Sequence, residues 1–247
     1  MRVVINQRLV RRSRRTAQYS FFVTLAILVA GLFVTNATPA TNNPLLLLAP
    51  LIVLPIAMAA TVYSVRMANL WLREPRTEDV LQRGLKGISN RSVLYHYALP
   101  ARHVLVAPQG VFTFTVRPQD GRFRVDGTNW TREGGAFSKF MRFFRQDNLG
   151  NPHRDALRDA AAIQQLVDRV APESGVTVQP VIVFISPQAE VEVSESPIPV
   201  VHADTKKRPS LKTYLRDVKK ENNHATLSAE QIEALERAAR IDPEAMA

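Results

Sequence analysis

By residue type, the chemistry this sequence could carry starts with five histidines: His96, His103, His153, His202 and His224. No two stand four apart, the spacing that would set two imidazoles on one helix face to hold zinc. His96 falls inside an expected strand and His103 at the start of another, so both read as structural. There are no cysteines. That removes disulfides, thiolate nucleophiles and every zinc site built on Cys, and is compatible with a reducing compartment. The chain has no Walker A loop, no Gly-x-Gly-x-x-Gly and no Gly-x-Ser-x-Gly elbow. Nucleotide and serine-hydrolase chemistry therefore have no signal. Gly134-Gly135 reads as a loop.

The positive charge is concentrated. The net charge is +10 over 247 residues. Arg2, Arg8, Arg11, Arg12, Arg14 and Arg15 supply six of those charges, with no acidic residue among them. They stand beside an apolar segment, which favours a juxtamembrane cluster over a nucleic-acid arm. Residues 19–35 and 45–64 are uncharged stretches of 17 and 20 residues. With residues 16–18 added, each is long enough to cross a bilayer core. Residues 36–44 form an uncharged turn rich in Asn, Thr and Pro. Arg66, Arg73 and Arg76 follow the second stretch, and the turn has no basic residue. The positive-inside rule places both ends in the cytoplasm, as expected for a bacterial inner membrane. A signal peptide is disfavoured because a second span follows at once. A buried hairpin of a soluble protein is disfavoured because residues 45–48 are apolar all round. Pro50 and Pro55 are tolerated in a membrane helix.

The rest reads as an α/β domain. Thr77 is a candidate N-cap, with Glu78 and Asp79 in the first turn, where carboxylates suit the helix dipole. Strands are expected over 92–99, 103–107 and 111–117. Asp120-Gly121 signals a hairpin that returns the chain over 122–126. Helices are expected over 137–144 and 152–170, then a strand in 176–186. Short edge strands follow at 190–193 and 199–201. Residues 210–219 form a further helix. Ser228 opens the last one, with Gln231 completing a capping box. This order predicts a mixed sheet flanked by helices. The expected division is a basic tail (1–18), a transmembrane hairpin (19–65), an α/β domain (76–205) and a helical extension (206–247).

Three runs carry a family resemblance: Leu94-Tyr95-His96-Tyr97, Ala101-Arg102-His103-Val104-Leu105-Val106, and Gly110-Val111-Phe112-Thr113-Phe114-Thr115-Val116-Arg117. With Gln119-Asp120-Gly121, Trp130 and Asn151-Pro152, their order resembles the nuclease-related domain (NERD). The resemblance implies a restriction-endonuclease-like fold that cuts nucleic acid with a divalent metal such as Mg²⁺. The family pattern, PD-(D/E)XK-like, has an acid early in the first helix, an Asp before the second strand and Glu-x-Lys on the third. Carboxylates would hold the metal, and the metal would activate its water. At these positions the chain has Glu78, Arg102, Thr115 and Arg117. Thr115 and Arg117 share a strand face, so the geometry is kept without the ligands. Arg102 would repel a cation, and Arg117 cannot act as a base at neutral pH. After Asn151-Pro152, where the family tends to place a Gln, the chain reads His153-Arg154-Asp155.

The resemblance thus implies a pseudoenzyme with no confident metal or cofactor, acting in binding or scaffolding. Arg102, Arg117 and Asn151 are its binding candidates, since arginine forks suit phosphate and carboxylate. The plainer expectation is that the two arginines are solvated or paired with Glu78 and Asp120. One alternative is an active metal-dependent nuclease with relocated ligands, drawing on Glu78, Asp120 and Asp126. Another is a membrane adaptor with no nucleic-acid role, using residues 211–239 as its surface. Expected partners are the lipid bilayer and either nucleic acid or another protein. Lys206-Lys207-Arg208 and Lys219-Lys220 are solvated faces or lipid contacts.

Overall fold

The computed structural model describes residues 1–37, 48–134, 149–221 and 225–239. These residues divide into two compact units: a helical one (9–37 and 48–74) and a sheet one (1–8, 75–134, 149–221 and 225–239).

In the helical unit, α1 covers Gln7–Ala37 and α2 covers Ala49–Trp71. Both are long and apolar enough to cross a membrane. The helix α1 starts well before residue 19, inside the segment expected to be a tail. Arginine is a good helix former, and no Gly or Pro interrupts residues 7–30. Likewise α2 runs past Ser64, because Arg66 and Asn69 do not break a helix. Pro50 sits in the first turn, where its missing N–H costs nothing, and Pro55 lies inside the helix. The helices touch where Thr24 Oγ1 donates to the Ala60 carbonyl at 3.1 Å. A Cβ on Gly31 would come within 2.7 Å of Val53 Cγ1, so glycine permits the close approach. Elsewhere both helices expose large apolar side chains, among them Phe22, Phe33 and Leu51, the last 70% exposed. The turn expected over 36–44 and the start of the second span fall largely outside the described residues.

The sheet unit contains a six-stranded mixed sheet in the order β1-β2-β3-β4-β7-β9. The strands are β1 (Arg2–Ile5), β2 (Val93–His96), β3 (His103–Ala107), β4 (Gly110–Arg117), β7 (Val178–Phe184) and β9 (Val200–His202). β3 pairs antiparallel with β2 on one side and with β4 on the other. β1 joins β2 in parallel, and β7 joins both β4 and β9 in parallel. A smaller sheet has the order β6-β5-β8, with β5 over Gly121–Asp126, β6 over Asn129–Arg132 and β8 over Ala189–Glu195. The helices are α3 (Thr77–Gly84), α4 (Pro152–Val170), α5 (Leu211–Glu221) and α6 (Ala229–Ala238). Leu81, Leu211 and Leu215 of α3 and α5 cover Leu105 and Phe112 on one sheet face. Ile163, Val167 and Leu235 of α4 and α6 cover Tyr95, Val104 and Val111 on the other. The fold is therefore α/β, with a mixed sheet flanked by helices. The capping box at Ser228 and Gln231 is present.

Two features differ from expectation. β5 does not fold back onto β4. The free edge of β4 is taken by β7, so β5 leaves for the smaller sheet. The tight turn falls at the second Asp-Gly pair, where Asp126 and Asn129 face each other and Gly127 has φ +57°. Second, Val3-Val4-Ile5 forms a strand inside the basic cluster. Arg2 at its start pairs with Glu236 of α6, and Tyr95 Oη donates to the same carboxylate at 2.6 Å. The helix expected over 137–144 lies outside the described residues.

Candidate functional site

The site is built on β4 and the start of α4. Along β4, Phe112 and Phe114 point to the α3–α5 side. Strand alternation therefore turns Val111, Thr113, Thr115 and Arg117 toward α4. Arg117 Nη2 donates to Asp155 Oδ2 at 2.6 Å, and Nη1 donates to the Val116 carbonyl at 3.3 Å. The guanidinium is nearly buried, at 12% exposure, against 27% for Asp155. Burial pushes the pKa of Arg117 down; Asp155 opposes this, and the Arg102 charge adds to it. The Thr113 and Thr115 hydroxyls and Arg117 Nε are buried without hydrogen-bond partners.

The other motif positions do not converge on this pair. Arg102 is exposed in the turn before β3, within electrostatic reach of Arg117 and His103. Glu78 is buried in the first turn of α3, the helix over the opposite sheet face. Asn151 is the N-cap of α4: its Oδ1 accepts from the Arg154 N–H at 3.0 Å. Its side-chain oxygen thus satisfies a helix N–H. Replacing it with Ala should cost about 1 kcal/mol in urea denaturation, and with Gly only a few tenths. An Asn151→Ala loss below about 0.3 kcal/mol would remove this capping role.

Arg102 is exposed, as the plainer expectation allows, whereas Arg117 pairs outside the two acids it names. Arg117 finds Asp155, not Asp120. Asp120 accepts a hydrogen bond from the Ser186 hydroxyl, and its carbonyl accepts one from Arg132. Asp126 ends β5 in the smaller sheet. Among the described residues, no three His, Asp or Glu side chains gather closely enough to hold a metal ion. A divalent cation therefore does not fit the motif positions: two are cations, one is a neutral hydroxyl, and the acid lies across the sheet.

Three of the described histidines make buried or half-buried hydrogen bonds instead. His96 and His103 are buried, with their Nδ1 atoms 2.8 Å apart. One Nδ1 must carry the proton and the other accept it. Trp130 Nε1 donates to His153 Nδ1 at 2.6 Å, which leaves the proton on Nε2. Nε2 lies 3.1 Å from Ser196 Oγ, and that hydroxyl donates to the Ile198 carbonyl at 2.6 Å. With its proton committed to Ile198 and Trp130 rather than a carboxylate at the imidazole Nδ1, Ser196 is not an activated nucleophile. Asp155 was the residue hardest to assign from sequence. Its only signal was its place after Asn151-Pro152, where the family pattern has Gln.

Residues 71–185 match the family model of the nuclease-related domain, NERD. The chain therefore carries a nuclease-related domain, together with two candidate membrane helices. Searches of curated proteins and of solved structures returned no match.

Proposed function

We propose that this protein is a membrane-anchored nuclease-related domain, of restriction-endonuclease-like descent, that has lost its catalytic ligands and acts by binding or scaffolding. The observation that carries the reading is the Arg117–Asp155 ion pair. It fills the end of β4, where the family pattern places Glu-x-Lys. A guanidinium there repels a divalent cation and cannot take a proton from water. Arg102 adds a second positive charge nearby. This electrostatic setting suits an anionic partner better than a metal, and nucleic acid and an acidic protein surface remain the two partner classes. Binding to nucleic acid would weaken steeply with salt.

Membrane placement is supported by the exposed apolar faces of α1 and α2. In water they would be costly, and lipid removes that cost. Strand β1, before α1, pairs with β2, after α2. This pairing supports a hairpin whose two ends share one compartment, with an even number of crossings. The arginines beside the apolar stretches favour the cytoplasmic side of an inner membrane.

The test uses the full chain in detergent, because a fragment starting at residue 75 would lack β1. Calorimetric titration with Mg²⁺ and Mn²⁺ should show no binding, and single- or double-stranded DNA and RNA should stay intact. Cleavage that Glu78→Ala abolishes would overturn the proposal and make the protein an enzyme.

A further inference from the structure

A cavity of about 460 Å³ opens at the start of β7, on a part of the sheet unit that the proposed function does not use. In the β4–β7 ladder its floor residue, Gln179, pairs with Phe112, whereas Arg117 ends β4. Five residues, about 16 Å of strand, separate the two places. Prolines hold the cavity open. The Ile182 N–H of β7 donates to the Pro199 carbonyl, just before β9. Carrying that parallel ladder two residues back needs an N–H from residue 180 for the Pro197 carbonyl, and one from residue 199 for the carbonyl of residue 180. Both residues are proline, so neither bond can form. Pro180, Pro197, Pro199 and Pro209 form the apolar wall, facing Tyr214 and Val218 of α5. The carbonyls of Pro180 and Pro197 are left without a ladder donor.

The helix α5 sorts its charges by flank. Leu211, Leu215 and Val218 are buried. Lys212, Arg216 and Lys219 follow one flank, where Lys212 Nζ donates to the Lys86 carbonyl at 2.6 Å. Tyr214, Asp217 and Glu221, spaced by three and four, follow the other and line the cavity. Although the chain has a net charge of +10, no Lys or Arg lines it. Asp217 has the exposed Lys220 at 3.0 Å, and Glu221 has no ion-pair partner among the described residues. The Thr213 hydroxyl is already engaged, by Ser210 at 2.9 Å and by the exposed Arg208 at 3.5 Å. Burial, and then the Glu221 charge, push the Tyr214 hydroxyl up to about 12, so the carboxylate's field reaches the wall. Acceptors and negative charge thus meet an apolar wall. The complementary group is a weakly hydrated cation rich in N–H donors, which describes a guanidinium better than an ammonium.

We propose that this cavity receives an arginine side chain of a partner protein, its guanidinium on Asp217 and Glu221 and its stem along the prolines. The site goes beyond the binding role proposed above and does not depend on it. In calorimetric titration, the full chain in detergent should bind acetyl-Ala-Arg-Ala-amide at least roughly tenfold more tightly than acetyl-Ala-Gln-Ala-amide. The corresponding Lys peptide should fall between them. Free arginine should bind more weakly than the blocked Arg peptide, because its own carboxylate meets Asp217 and Glu221. The double variant Asp217→Asn, Glu221→Gln alters two exposed residues. It should keep the wild-type circular dichroism spectrum and lose the preference for arginine. No binding of the Arg peptide up to about 10 mM, or equal affinity for the Arg and Gln peptides, overturns the site. So does an unchanged preference in the double variant. A Lys peptide bound as tightly as the Arg peptide overturns the choice of guanidinium. Free arginine bound as tightly overturns the partner protein, in favour of a small-molecule site.

Discussion

Lowering the pH from 7 to 5 should destabilise the protein by about 2 kcal/mol through His96 alone. Its ring is fully buried in β2, and burial pushes its pKa from 6.5 down to about 4. In the unfolded chain the imidazole takes up a proton as the pH falls through 6.5; in the folded protein it resists until about 4. The unfolded state therefore binds more protons throughout that window. The contribution is fully present above pH 6.5 and is lost progressively as the pH falls toward 4. His103 acts in the same direction, lowered by its own burial, by His96 and by Arg102. Double protonation would also set two N–H donors against each other across 2.8 Å. His153 and His202 are lowered by burial too, so all four described histidines pull the same way. Urea midpoints of the full chain in detergent, measured between pH 7 and 5, should fall steadily. His96→Gln should flatten the slope. A midpoint unchanged over this range would show that these rings are not held neutral by the fold.

How much of this was legible in the sequence depended on whether the signal was local. Phe112, Phe114 and Val116 alternate with Val111, Thr113 and Thr115, so β4 and the facing of Arg117 could be read directly. The capping box at Ser228 and the N-cap position of Asn151 follow from side-chain reach over three residues. β1 could not be read, because four residues among arginines give no periodicity and their partner, β2, lies some ninety positions away. The destination of β5 was equally hidden. Asp120-Gly121 permits a turn, but whether the chain returns to β4 depends on β7 having taken that edge. The Arg117–Asp155 pair joins residues 38 apart, through the packing of α4 on β4. The motif marked Arg117 as anomalous without naming its partner.

That pair supplies the second large effect. Asp155→Asn should destabilise the protein by about 3 kcal/mol, because it leaves a nearly buried guanidinium without its counter-charge. The remaining acceptor, the Val116 carbonyl at 3.3 Å, cannot replace it. Arg117→Met should cost less, about 1–2 kcal/mol. The carboxylate it strands is more exposed, and Arg158 stands 3.7 Å from its other oxygen. Removing both charges with apolar side chains of similar size should come close to neutral, since neither ion then needs the other. The double-mutant cycle should report a coupling of about 4 kcal/mol, since the single losses largely vanish in the double variant. Asp155→Asn within 0.5 kcal/mol of the wild type, on the same urea scale, would mean that the pair is not a structural unit. The asymmetry bears on function. If the site loses more from stripping the carboxylate than from stripping the cation, its architecture is organised around a fixed positive charge on β4. A nuclease site needs the reverse, carboxylates organised around a metal that can be exchanged. The stability of this domain should therefore be indifferent to chelators and sensitive to Asp155, as expected if the Arg117 guanidinium has taken over the structural place of a metal.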